Sequence, residues 1–440
     1  MPNTFVVKNK IKKFNKTISV NGDKSISIRW LLFSSLASGI STATNLLVSE
    51  DVLATINSIR KLGIKIVLKK KYCKVFGKGM NGYKYKENLT INAKNSGTLA
   101  RLLLGLFANT NKKIKLIGDK SLSQRDFKRV IDPLKKFGVV FDLNKKKTLP
   151  LKIIGPEILR PINYFENKGS AQCKSCVIFA GMRTKGRTLI KAKKSRNHTE
   201  ILCKFLKLPI KIKTQKNFDL IEVNEVKNIK PLNYKIPSDI SSAAFFITLT
   251  ALSKNSKIII RKVNINHSRD GVIRILKKMG IKIFLKNKKI YKGEKIADIL
   301  VKGSTHIKSI NCPTRLNSNA IDEFLLIFLV AAKAKGVSNF RNIGELNQKE
   351  SKRLDWGAKI LNKMGVRTIQ TQNSIKIFGN PNLEVKKKIV IKDYLKDHRV
   401  FMTSVVAALS FGGKWYIHDK DSINTSFPSF LKILDRFTLQ

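Results

Sequence analysis

Six stretches of this chain are apolar on all sides and rich in small residues, and each reads as a buried helix. They cover Ile28–Gly39, Ala100–Asn111, Lys174–Gly186, Ser242–Asn255, Glu323–Gly336 and Arg399–Gly413. Their ends recur at roughly 70–80 residues, too long for a helical solenoid unit and suited to a small α/β unit. A second series runs between them, a helix end followed by alternating β-branched residues. It reads KLGIKIVL from Lys61, KFGVVFDL from Lys136, KLPIKIKT from Lys207, KMGIKIFL from Lys278 and KMGVRTIQ from Lys363. Gly just past a helix, then alternation, marks a C-cap feeding a half-buried strand. In the third copy Pro209 takes the place of Gly, stopping the helix and opening the strand.

A sixth copy would fall at the C-terminus, yet the chain closes with the helix-like FLKILDRFTLQ. The N-terminal runs TFVVKNK and KTISV read as strands and supply the missing piece. The pattern therefore predicts an α/β protein of six repeated βαβαββ units, three in each of two domains. One domain spans 1–18 plus 240–440 and the other 19–238, with crossings near Val20–Gly22 and Pro237–Asp239.

Charge adds little to this frame. The formal net charge of +58 comes mostly from Lys scattered over predicted strands, turns and helix surfaces. A nucleic-acid binder would gather charge on a face or tail and interleave aromatics, and neither pattern is present. Surface drift with some steering of small anions is the favoured reading. Cys73, Cys173, Cys176, Cys203 and Cys312 form no disulfide framework, and Cys173-x-x-Cys176 has no second pair at zinc spacing. Buried reduced thiols are expected. The longest apolar run, Phe324–Ala332, is short of the ~20 residues a bilayer span requires. A cytoplasmic protein follows, with no membrane and no nucleic-acid partner.

The chemistry gathers at the starts of the apolar helices and in the loops after them. Helix starts carry unpaired N–H groups and a positive dipole end, which suit phosphate and carboxylate ligands. The first is preceded by NGDKSISIR, where Lys24, Ser25 and Arg29 offer an ammonium, a hydroxyl and a guanidinium. The second follows NSGT, with Gly97 clearing space for backbone N–H groups, and GDKSLSQR with Arg125 comes after it. GSAQCKS brings Ser170 and Gln172 before the third, and SRNHTE follows it. Asp322-Glu323 opens the fifth and NQKESKR follows; Asp397-His398-Arg399 opens the sixth. The fourth copy carries only Asp239 and serines and reads as mainly structural.

Taken in order, DKSISIR, NSGT-x-x-R, GDKSLSQR, SAQ-x-KS, SRNHTE, IDEF, KESKR, DHR and TSFP resemble the enolpyruvyl transferases, and among them the EPSP synthase family in its class II bacterial form. The resemblance covers essentially the whole chain. It implies the two-domain inverse α/β barrel-like fold of that family, with the active site in the interdomain cleft. It implies transfer of the enolpyruvyl group of phosphoenolpyruvate to shikimate 3-phosphate with release of phosphate, without metal or cofactor, by a monomer. Shikimate 3-phosphate would be held by Lys24, Ser25, Arg29, Ser170, Gln172, Ser195, Arg196, Asp322 and Lys349. Phosphoenolpyruvate would be held by Lys24, Gly97 through its backbone, Arg125, Arg353 and Arg399. Asp322 would act on the 5-hydroxyl, Glu350 in proton transfer at the methylene carbon, and Lys24 beside them. In this family the herbicide glyphosate occupies the phosphoenolpyruvate site beside the Gly, so Gly97 implies sensitivity.

Three positions depart from the pattern. The loop after Arg125 reads Asp126-Phe127-Lys128-Arg129 where Pro-Met is usual, Asn197 stands where Asp is common, and Thr425 replaces a Lys of the other branch, as in class II generally. Two rivals remain open at this point. One is the UDP-N-acetylglucosamine enolpyruvyl transferase, which would need a Cys in the Arg125 loop and a Lys-Asn pair near the N-terminus. The other is a basic RNA-binding protein on a related repeat fold, in which Asp322 and Glu350 would be dispensable.

Overall fold

The computed structural model describes residues 3–438. The chain divides into two compact units. The inserted unit comprises Gly22–Ile236 together with Lys292–Glu294. The terminal unit comprises the segment up to Asn21, Pro237–Tyr291 and Lys295 onward.

The apolar stretches form the helices Lys24–Leu36, Gly97–Leu106 and Ala171–Gly181 in the inserted unit. In the terminal unit they form Ile240–Leu252, Phe324–Ala332 and His398–Phe411. Each residue of these last three helices is buried, as a helix without a polar face requires. Within the inserted unit Phe33 and Phe179 bring two of the helices together, their ring centroids 5.1 Å apart. A methyl on Gly105 would overlap the Cys176 carbonyl oxygen, so this Gly permits close helix approach. In the terminal unit Phe246 stacks on Phe437 at 5.5 Å and meets Phe427 and Phe430 edge-on or tilted. Each buried aromatic or Leu contributes about 1.5–3 kcal/mol.

The sheets repeat one pattern. In the inserted unit Ser38–Thr44 pairs antiparallel with Tyr72–Lys78 and parallel with Asn233–Lys235. Ile114–Ile117 pairs in the same two ways with Leu151–Ile154 and Leu89–Asn92, and Arg187–Lys193 with Phe218–Asn224 and Asn163–Glu166. In the terminal unit Lys257–Asn264 pairs antiparallel with Glu294–Lys302 and parallel with Asn15–Ile18. The two N-terminal strands thus serve different sheets, since Phe5–Val7 lies antiparallel to Lys414–Ile417, with Phe5 opposite Ile417. The parallel edge strands Leu89–Asn92 and Asn163–Glu166 lead directly into the central helices Gly97–Leu106 and Ala171–Gly181, the α/β unit predicted from the spacing.

The turns into the outer strands are set by left-handed residues. Gly63, Gly138, Gly280 and Gly365 have φ of +82°, +99°, +89° and +87°. The third copy differs from its sequence alignment. Its left-handed residue is Lys207, at φ +54°, two positions before Pro209. Pro209 instead sits immediately before the Ile210–Thr214 strand, so the alignment on Pro was shifted by two residues.

Candidate active site

The polar residues chosen from the sequence fall into two clusters, one in each unit. In the inserted unit Asp23, Ser96 and Ser170 cap the three central helices, accepting from Ile26, Leu99 and Cys173 N–H groups at 2.9, 3.3 and 3.3 Å. Lys24 and Ser25 occupy the first helical turn, and Lys24 Nζ lies 3.0 Å from Asp51. Arg29 is buried one turn on. Its Nε donates to Thr199 Oγ1 at 2.7 Å, one terminal nitrogen donates to Ser175 Oγ at 3.1 Å, and the other donates to the Ser25 carbonyl at 3.1 Å. Ser175 and Thr199 are themselves 2.7 Å apart.

The second and third helix starts are tied together by Gln172, which accepts from Arg101 at 2.6 Å and donates to Thr98 at 3.0 Å. Arg101 also lies over the Phe127 ring, and burial lowers its guanidinium pKa. Arg125 donates to Asn95 Oδ1 at 2.8 Å. The backbone of Gly97 faces both guanidinium groups: a Cβ there would lie 3.0 Å from Arg101 and 3.1 Å from Arg125. The Gly97 N–H itself donates to the Asn95 carbonyl at 3.0 Å. Ser195 Oγ is buried with no hydrogen-bond partner among the described residues, and Arg196 beside it is half-buried. The guanidiniums of Arg29, Arg101 and Arg125, the Lys24 ammonium and three capped helix starts make this cluster strongly favourable to anions.

In the terminal unit Arg353 gathers the carboxylates. It is 2% exposed and makes ion pairs with Asp397 at 2.8 Å, with Asp322 at 3.3 Å and with Glu350. Burial works to lower its pKa, but Asp397, Glu350 and Asp322 together raise it well above the usual value. Asp322 is also 3.6 Å from Lys349 and 3.8 Å from Arg399, so three cations surround one carboxylate. Arg399 donates to the Asp322 carbonyl at 2.6 Å. The residues predicted here, Asp322, Lys349, Glu350, Arg353 and Arg399, thus form one connected network.

Three departures from the predicted pattern have local explanations. Lys128 opens a helix, Lys128–Lys136, its N–H accepted by Asp126 at 2.6 Å. Asn197 precedes the helix His198–Phe205 and makes no side-chain cap bond to it. Thr425 bonds to His398 at 3.1 Å and to the Ser422 carbonyl at 2.8 Å. Sequence reasoning passed over Asp51, Arg101, Ser175, Thr199 and Asp397 as site residues, although all but Asp51 lie inside quoted motifs. The signal for Asp51 was only a helix-start pattern, Ser49-Glu50-Asp51, in which the Ser49 side chain makes no cap bond.

Residues 8–434 match the family described as EPSP synthase (3-phosphoshikimate 1-carboxyvinyltransferase). The chain belongs to the EPSP synthase family. It is similar to the 3-phosphoshikimate 1-carboxyvinyltransferase of Vesicomyosocius okutanii, with 37% identity over 95% of this chain and 94% of that one. The namesake enzyme of Petrotoga mobilis is 34% identical over 97% of both chains. Among solved structures, the EPSP synthase from Acinetobacter baumannii superposes with a TM-score of 0.86 at 34% identity, covering 99% of this chain and 98% of that one. The enolpyruvyl transferase NikO from Streptomyces tendae, at 13% identity and a TM-score of 0.76, shares the fold. EPSP synthase family membership fits the two-unit α/β architecture described above. Against the first rival reading, no Cys lies in the Arg125 loop or the helix that follows it.

Five buried free cysteines complete the picture. Burial pushes the Cys73 thiol up to about 12 and the Cys312 thiol to about 11. Among the described residues no helix is long and apolar enough to cross a membrane.

Proposed function

We propose that this chain catalyses its family's reaction in the shikimate pathway to chorismate and the aromatic amino acids, in the cytoplasm and as a monomer. The enolpyruvyl group of phosphoenolpyruvate passes to the 5-hydroxyl of shikimate 3-phosphate. The 5-oxygen forms a bond to C2 of phosphoenolpyruvate as C3 gains a proton, giving a tetrahedral adduct. The adduct then loses that C2 phosphate and a C3 proton, restoring the enol ether.

The residues of both clusters supply what these steps require. Lys24, Ser25, Arg29, Ser170, Gln172, Ser195, Arg196 and Lys349 bind shikimate 3-phosphate. Lys24, Gly97, Arg125, Arg353 and Arg399 bind phosphoenolpyruvate, and their charge offsets repulsion between two anionic substrates. Asp322 takes the hydroxyl proton, and Glu350 delivers and later removes the proton at C3. The observation that supports this division best is that both carboxylates share the Arg353 guanidinium. A phosphate arriving at Arg353 competes with Glu350 for it and frees that carboxylate for proton transfer. The test is mass spectrometry of the product: an enolpyruvyl ether of shikimate 3-phosphate supports the proposal, and an unmodified acceptor after prolonged incubation contradicts it.

A further inference from the structure

The fourth central helix, Ile240–Leu252, supplies none of the residues assigned above, yet its start is wired into the carboxylate cluster. Asp239 caps it, accepting from the Ser241 N–H at 2.7 Å. Arg269, 3% exposed and outside every motif used so far, donates from one nitrogen to Asp239 Oδ1 at 3.2 Å and to Ser241 Oγ at 2.6 Å. A guanidinium only donates, so Ser241 Oγ accepts here, and its single proton is committed elsewhere. That proton goes to Glu323 Oε1. The same Glu323 oxygen accepts from Arg399 at 3.4 Å.

We infer that Glu323, held by Ser241 and Arg269, is a positioning residue that fixes the Arg399 guanidinium for phosphoenolpyruvate. The inference rests on the reading that Arg399 binds phosphoenolpyruvate. Glu323 is 1% exposed, and a buried carboxylate is costly unless paired and hydrogen-bonded. Its pairing is directional. Arg399 NH1 is held by two consecutive residues, the Asp322 carbonyl and the Glu323 carboxylate. The other terminal nitrogen is left facing Asp322 Oδ2 at 3.8 Å, beyond a direct hydrogen bond. One end of the fork is anchored and the other is presented. Asp239 balances Arg269 and Glu323 balances Arg399, so the relay adds no net charge to the cluster.

The test is steady-state kinetics of Glu323→Gln, Ser241→Ala and their double variant, with each substrate varied in turn, beside Arg399→Lys. Loss of the anchor raises KM for phosphoenolpyruvate about tenfold, the size of one charged hydrogen bond. KM for shikimate 3-phosphate stays within about twofold, and the double variant is no worse than the more impaired single one. Glu323→Asp, which keeps the charge, recovers part of the loss. Equal rises in both KM values, or no rise in either, while Arg399→Lys does raise KM for phosphoenolpyruvate, overturn the inference. An unchanged KM for phosphoenolpyruvate in Arg399→Lys overturns the reading beneath it instead.

Discussion

Asp397 grips Arg353 with both carboxylate oxygens, Nε to Oδ2 at 2.8 Å and a terminal nitrogen to Oδ1 at 3.1 Å. Ser351 Oγ and the Arg399 N–H add further donors, each at 2.9 Å. The carboxylate that caps the sixth central helix therefore also fixes the central guanidinium of the cluster.

Burial works to raise the Asp397 pKa, but Arg353 outweighs it and holds the group below its ordinary 3.8. A carboxylate depressed in the folded state stabilises fully above its unfolded pKa. That contribution is lost as pH falls through the lower folded value. Asp397→Asn should cost about 3 kcal/mol at pH 7, the loss of one partner of a buried pair. The gap to wild type should narrow as pH falls below 3.8, and urea unfolding across that range measures it.

Arg29→Lys tests the inserted unit's cluster. A lysine ammonium cannot reproduce the fork to Thr199, Ser175 and the Ser25 carbonyl. KM for shikimate 3-phosphate should rise at least about tenfold, with a smaller change for phosphoenolpyruvate. Initial-rate measurements with each substrate varied separate the two.

Gly97→Ala places a methyl 3.0 and 3.1 Å from the Arg101 and Arg125 guanidinium ends. Both are ends of flexible side chains, so the variant should fold while shifting the two cations by a few tenths of an ångström. Wild type should be inhibited by glyphosate in competition with phosphoenolpyruvate, and the variant should need about tenfold more of it. Inhibition curves at several phosphoenolpyruvate concentrations provide the comparison.

The thiols offer a readout independent of substrate. Thiolate is the reactive form, and burial pushes Cys73 and Cys312 to about 12 and 11. Native protein at pH 8 should react slowly with a disulfide reagent at each of its five cysteines, and rapidly once denatured.

The repeat was legible because helices that are apolar all round leave a periodic signal in composition. Their starts were not. The sequence windows open at Ile28, Ala100 and Lys174, while the helices begin at Lys24, Gly97 and Ala171. The skipped first turns carry Lys24, Ser25, Gly97 and Gln172, which are polar or small, so hydrophobicity alone did not mark them as helical. Pro209 was misaligned for a related reason, since a Lys at φ +54° does the work of Gly without announcing it. Links such as Lys24 to Asp51, Arg29 to Thr199 and Ser241 to Glu323 depend on tertiary packing, and no spacing reveals them.

The most direct test of the proposed reaction is phosphate release from phosphoenolpyruvate, followed with and without shikimate 3-phosphate, in wild type and Asp322→Ala. Release is expected only when both substrates are present, with a fall of at least about a hundredfold in the variant, the lower range for a lost general base. Release that ignores shikimate 3-phosphate, or a variant as fast as wild type, would contradict the proposal.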